Sequence, residues 1–279
     1  MTTAVLTHRL DPRSLADRAL GLAAQLWLVV AVLGQWAFFY YIVAFYGVST
    51  LQGNIAAWSK NQMLFKGYVP GDTAGNIAFG AHALLAGIIA FGGAVQLIPQ
   101  VRARFPAVHR WNGRLFVVTA LMVSVTGLYM IWVRGSNPTL LGKIATSLNA
   151  ALIIGFVVLA WRAAALRRIA THRRWALRLY LVSNAQWFMR VGFFAWMMIA
   201  RGVLHLPKAW GGVFFDVWSF GCVLFPIAVL ELYLRAQDGA GPGGRFAVAG
   251  GLVALTLVMA VGAFGFSMFS RGLLVGAAG

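Results

Sequence analysis

The chain has 279 residues, of which 61% are hydrophobic and only 10% charged, and its formal net charge is +17. A soluble domain keeps about a quarter of its residues charged to wet its surface, so this composition excludes a soluble globular protein and makes lipid the solvent. One cysteine, Cys222, excludes an internal disulfide and a CxxC metal knuckle.

A bilayer core about 30 Å thick takes roughly 20 apolar residues at 1.5 Å each. In chain order the stretches that meet this are Ala19–Tyr46, Ile77–Ile98, Leu115–Val133, Ile144–Ala165, Ala176–Ala200, Val213–Leu234 and Phe246–Met268. The first is too long for a signal-peptide core, and its flank mixes Asp11 and Asp17 with arginines, which predicts an uncleaved span. The alternating pattern of a membrane barrel is absent. The expected fold class is all-α: a polytopic helical bundle of about seven transmembrane helices with a cytoplasmic N-terminus. On this reading residues 1–18 form a cytoplasmic tail, 19–268 one membrane domain and 269–279 a C-terminal tail. The segment Gln237–Arg245 ("QDGAGPGGR") reads as a flexible connector, and the seventh span as lipid-facing packing.

The cations are distributed unevenly. Arg9, Arg13 and Arg18 precede the first span, and Arg102, Arg104, Arg110 and Arg114 lie between the second and third. Arg162, Arg167, Arg168, Arg173, Arg174 and Arg178 follow the fourth, and Arg235 and Arg245 follow the sixth. The opposite loops hold only Lys60, Lys66, Arg134, Lys143, Arg201, Lys208 and Arg271. The positive-inside rule places the richer side in the cytoplasm. Anionic lipid headgroups account for those loops, and no nucleic acid is needed. Trp111, Trp161 and Trp175 fall at the inner boundary; Trp132, Trp196, Trp210 and the Phe38–Tyr41 cluster fall toward the outer one, where amphipathic rings anchor.

A charged phrase occurs twice: "HRWNGRLF" from His109 and "HRRWALRLY" from His172. Both open spans that run in the same direction. Upstream, "HALLAGII" from His82 loosely matches "NAALIIGF" from Asn149, so the repeated unit reads as a two-helix hairpin. The set formed by an intramembrane His82, "FPAVHRWNGRLFVV", "THRRWALRLY" and Arg190 resembles an uncharacterised bacterial family of predicted membrane proteins, domain of unknown function 2306, over roughly Gly75 to Ala200. The expected location is the bacterial inner (plasma) membrane, which the chain crosses several times. The resemblance implies importance for His82, for His109 with Gly113 and Arg114, for His172 with Trp175 and Arg178, and for Arg190. It supplies no activity.

Ionisable groups inside a span are expensive, and each is a functional hypothesis by default. His82, Arg190 and Asp216 qualify, and Asn149 lies at the depth of His82; all four fall in the outer half. His172, Leu179, Ser183, Gln186 and Arg190 recur at helical spacing, as one stripe on the fifth span. One reading pairs Arg190 with Asp216 to lock the fifth and sixth helices, with His82 bonded to a carbonyl. Another makes Arg190, His82, Asn149, Gln186 and Asp216 a polar pocket; were Asp216 remote, the pocket would be cationic and suited to a carboxylate or quinone oxygen.

Two neutral imidazoles at one depth also admit a b-type haem, with His109 and His172 as axial ligands and Arg110, Arg114, Arg173 and Arg178 for its propionates. The same collar can hold lipid phosphates. Transport is a third class: glycines 80, 87, 92 and 93 allow close packing in the second span, although no interior Pro-Gly pair breaks a helix. A non-catalytic structural or assembly subunit is a fourth. Walker loops, dinucleotide fingerprints, HExxH and EF-hand motifs are absent. The topology is tested by single cysteines at Arg104 and Ser136 in a Cys222→Ala background. A membrane-impermeant thiol reagent added outside intact cells should label position 136 and spare position 104. Labelling of both from outside would overturn the expected orientation.

Overall fold

The computed structural model describes residues 12–61, 67–137, 139–207 and 210–278. Of the residues invoked from sequence, Arg9, Asp11, Lys66, Lys208 and the side chain of Trp210 lie outside the described residues. The described residues form helices and no strand. The long helices are α1 (Pro12–Ile42), α2 (Thr73–Leu97), α3 (Pro106–Trp132), α4 (Leu140–Ala165), α5a (Ile169–Ser183), α5b (Ala185–Trp196), α6 (Trp210–Gly239) and α7 (Pro242–Ala278). Six of them, all but the α5 pair, are long and apolar enough to cross a membrane.

The fifth expected span is therefore not one helix but two, which meet at Asn184. No proline or glycine is responsible. The ladder persists on both sides, with Asn184 N–H donating to Tyr180 O (3.2 Å) and Phe188 N–H donating to Asn184 O (3.0 Å). The Asn184 side-chain amide donates to Tyr180 O at 2.8 Å, a local bond that competes with the regular ladder.

The other helices close a ring in the order α1, α2, α3, α4, α6, α7, and back to α1. Inside it, α5a packs mainly on α4 and α5b mainly on α7. From Trp175 to Met197 no residue is exposed. The least uniformly apolar span is thus the one least exposed to lipid, which follows from the cost of polar side chains in hydrocarbon.

Three expectations are corrected. The seventh span is more than lipid-facing packing: its Phe266 packs edge-on to Phe38, Tyr41 and Phe194. Gly262 lies so close to the Val191 carbonyl that an added Cβ would sit 2.0 Å from that oxygen. The connector is almost all helix, because α6 runs to Gly239 and α7 begins at Pro242. Finally, Phe38 and Tyr41 are buried rings of the core and not headgroup anchors, while Trp111 and Trp132 are exposed.

Ion pairs fasten the ends of the bundle. At the arginine-rich end, Arg178 forks onto Glu231 (2.7 and 2.9 Å) and Arg174 onto Asp238 (2.9 and 2.5 Å), tying α5a to α6. Arg245 reaches Asp17 and joins α7 to α1. At the other end Arg134, with 5% of its side chain exposed, donates to Asp72 (2.7 Å), Gly67 O (2.8 Å) and Asn76 Oδ1 (2.9 Å). Asp72 also caps α2 by accepting from Gly75 N–H at 2.9 Å. Only glycine fits there, since a Cβ on Gly75 would lie 2.0 Å from the Asp72 carboxylate and 2.5 Å from the Arg134 guanidinium.

The Arg134 guanidinium, with help from the Gly75 amide, holds the Asp72 carboxyl below its ordinary value. A carboxyl lowered on folding adds stability above the ordinary carboxylate range, about pH 4, and loses it as pH falls through the lowered value. In detergent, the thermal midpoint of helical circular dichroism should fall for the wild type below that range. Asp72→Asn should start lower at neutral pH and lack part of the acid drop. A curve for Asp72→Asn that overlays the wild type at every pH would remove the clamp from the account.

Candidate functional site

A cavity of about 30 Å³ lies between α1, α2, α3 and the junction of α5a with α5b; its lining includes Phe38, His82, Ser183, Asn184, Gln186 and Trp187. That is room for about one or two waters. The Thr126 hydroxyl donates to Met122 O at 2.8 Å, so its 3.1 Å contact with His82 is the Nδ1–H donating to Thr126 Oγ1. In the neutral ring this leaves Nε2 as the acceptor. Ser183 Oγ and Trp187 Nε1 are buried without a hydrogen-bond partner among the described residues. Such groups cost about 1–3 kcal/mol each when left dry, which favours a hydrated cavity.

Arg190 stands one turn beyond. Its Nη1 donates to Gln186 O at 2.7 Å and lies 3.5 Å from Gln186 Oε1. Its guanidinium carbon sits 5.1 Å from the centre of the Phe38 ring. Its charge is close enough to act on His82, Tyr41 and Tyr46. Among the described residues it meets no carboxylate. The expected Arg190–Asp216 lock is not formed: Asp216 is in none of the ion pairs among the described residues, and the carboxylates that fasten α6 to α5a are Glu231 and Asp238. α6 carries three acids, and the two that arginines reach, Glu231 and Asp238, are met from the other end of α5.

Tyr41 and Tyr46 both accept from the Asn61 side-chain amide at 2.7 Å. Five residues apart on an α-helix, two side chains point about 140° away from each other. Here the helix widens into a π turn over Val43–Gly47, whose longer bonds bring both rings toward Asn61. Neither the π turn nor Asn61 carried a sequence signal. Gln35, 0% exposed, was one of two amides in the first apolar run, with Gln25, and was a signal passed over. Its side chain faces Tyr180.

Of the residues singled out from sequence, the structure brings His82, Gln186 and Arg190 together. Asn149 does not line the cavity; its Oδ1 is buried on α4 without a partner among the described residues. His109 and His172 stand near each other at the arginine-rich end, close enough to interact electrostatically. His172 Nδ1–H donates to the Ala160 carbonyl at 2.9 Å, which leaves Nε2 free, and His109 Nδ1 is buried without a partner. The two rings are thus neighbours, as the haem reading requires. The cation set fits less well: Arg178 is committed to Glu231 and to the Trp175 ring at 4.6 Å, and Arg114 lies exposed over Trp111 at 4.7 Å. His205, the remaining described histidine, is an exposed loop residue bonded to Val203 O.

A family model described as "Predicted membrane protein (DUF2306)" matches residues 79–231. The match starts three residues before His82 and ends at Glu231, so it reaches beyond the α5 span to the acid that Arg178 holds. No curated protein and no solved structure matches. With more than half its length matched, including both histidine phrases and Arg190, the chain belongs to the DUF2306 family of predicted membrane proteins.

Proposed function

We propose that this protein takes a small ligand bearing a carboxylate or a quinone oxygen into the pocket bounded by α1, α2 and α5b. The observation that carries this reading is Arg190, a permanent cation inside the bundle with no carboxylate partner among the described residues. Its hydrogen bonds among those residues run from Nη1 to Gln186 alone, and Tyr41 and Tyr46 lie within electrostatic reach. An oxygen bearing negative charge would balance the charge and accept from the N–H groups that Gln186 does not use. The cavity is too small for a whole ring system, so a quinone would present its carbonyl end only. In this account α5a and α5b together make a seventh crossing, with the N-terminus in the cytoplasm and the Arg190 pocket in the outer half of a bacterial inner membrane.

Trp187 lines the cavity and supplies the test. Menadione, as a quinone probe, should quench tryptophan fluorescence of the detergent-purified protein in a saturable way, and benzoate should compete. A hydrogen bond to a charged group is worth about 1.5–3 kcal/mol, so Arg190→Gln should weaken binding by about 10- to 100-fold. Equal quenching in the wild type and the variant would sink the proposal.

The His109–His172 pair supports a second reading, a b-type haem at the arginine-rich end. When bound, such a group supplies one-electron chemistry; the chain's part would be axial ligation by the two imidazoles, with His172 oriented by the Ala160 carbonyl. The visible spectrum of the purified protein decides it. A Soret band lost in both His109→Ala and His172→Ala is the expected outcome, and a protein that stays colourless after haem is added would end the reading.

A further inference from the structure

Ten side-chain atoms among the described residues are buried with no hydrogen-bond partner, and seven of them fall along one line beside α5: His109 Nδ1, Gln96 Oε1, Tyr180 Oη, both amide atoms of Gln35, Ser183 Oγ and Trp187 Nε1. Consecutive members are linked directly or through a residue next to them on the same helix. Gln96 donates to the His109 carbonyl at 2.8 Å. One turn before Gln96, Gly93 lies against the Tyr180 ring, and Tyr180 faces Gln35. Beside Gln35, Gly34 lies against the Trp187 ring, which with Ser183 lines the cavity of His82. Beyond the cavity come Gln186 and Arg190. From His172 to Arg190 an α-helical path is about 27 Å, close to the thickness of the hydrocarbon core.

Orphan polar atoms are expensive in a bundle core, and a row of them becomes tolerable once waters bridge each to the next. We infer that this row is a hydrated proton track leading from the His109–His172 pair to His82 and closed beyond His82 by Arg190. His109, Tyr180, Ser183 and the bridging waters each accept a proton on one side as they release one on the other, while His172, whose Nδ1–H is held by the Ala160 carbonyl, accepts and releases through Nε2. The Gln35 and Gln96 amides hold the waters in place, and no group is oxidised or reduced. The track ends on His82 Nε2. The groups facing His82 are Thr126 and the Val123 carbonyl from α3, Phe38 from α1, and Ser183, Gln186, Trp187 and Arg190 from α5; of these Arg190 alone carries a fixed charge. A fixed guanidinium is an electrostatic barrier to a passing proton, so the pathway admits protons to His82 and stops there. On the ligand reading above, an anion seated on Arg190 would cancel that barrier, and ligand and proton would enter the pocket together.

The experiment uses the full chain in liposomes holding a pH-sensitive dye, with a potassium gradient and valinomycin to drive protons, and no ligand. Wild-type vesicles should take up protons near the rate of protein-free ones. Arg190→Gln should raise the rate at least about tenfold, the factor that about 1.4 kcal/mol off a barrier gives. Adding Gln35→Leu and Tyr180→Phe to it should return the rate to baseline. Circular dichroism and gel filtration check folding, and Arg190→Met replaces the glutamine variant if that one does not fold. The inference falls if neither Arg190 variant conducts above wild type, if the Gln35 and Tyr180 changes leave conduction intact, or if osmotic water flow rises without proton flux. Because no ligand is present, these outcomes are independent of whether menadione binds.

Discussion

A guanidinium that keeps its proton at every accessible pH cannot be left facing hydrocarbon. At the centre of a helix it costs about 2.5–3.5 kcal/mol even on the mildest insertion scale. That constraint orders this protein. The helix that carries Arg190 is enclosed by the six others, its polar stripe is turned onto α1 and α2, and its charge meets the face of Phe38 and a backbone carbonyl within electrostatic reach of two tyrosines. None of these cancels a unit charge. The bundle hides the cation from lipid without neutralising it, which differs from the way its other buried cations are treated.

The contrast lies in where the acids go. Six aspartates and glutamates serve 23 lysines and arginines. Four of those acids form ion pairs at helix ends, where they join α1 to α7, α2 to α3, and α5a to α6. Bidentate contacts of this kind fix geometry as well as supply attraction. The scarce negative charge has gone into fastening the perimeter, and the interior is left electropositive. Such an arrangement is costly as pure architecture and reasonable as a receptor, since the missing counter-charge is what a ligand can bring.

Much of the fold was legible because hydrophobic runs of membrane length leave few alternatives. The spans came from counting apolar residues, and the facing of His82, Gln186 and Arg190 from the price of burying polar groups and from helical spacing. What could not be read was how the cations would choose among the acids. Asp216 and Glu231 lie on the same helix, and only packing decides that Arg178 takes Glu231 while Arg190 takes none. The π turn that joins Tyr41 and Tyr46 at Asn61 is a backbone event with no composition of its own. The break at Asn184 escaped because breaks are sought at Pro and Gly, whereas here an amide side chain diverts a single carbonyl.

That break divides more than a helix. Before Asn184 the chain is bolted to α6 by two arginine forks and laid along α4; after it, the chain is held by ring contacts and a close backbone approach to α7. Ion pairs at the membrane edge respond to salt and headgroup charge, while interlocked rings in the interior respond to neither. The two segments therefore answer to different surroundings, and the cavity sits at their seam. α6 crosses that seam, tied to α5a by Arg178–Glu231 and to α5b by the Trp196–Phe214 stack and the Trp218 Nε1–H bond to Phe188 O, so the interruption lets the two segments differ in what they answer to while one helix keeps them in register.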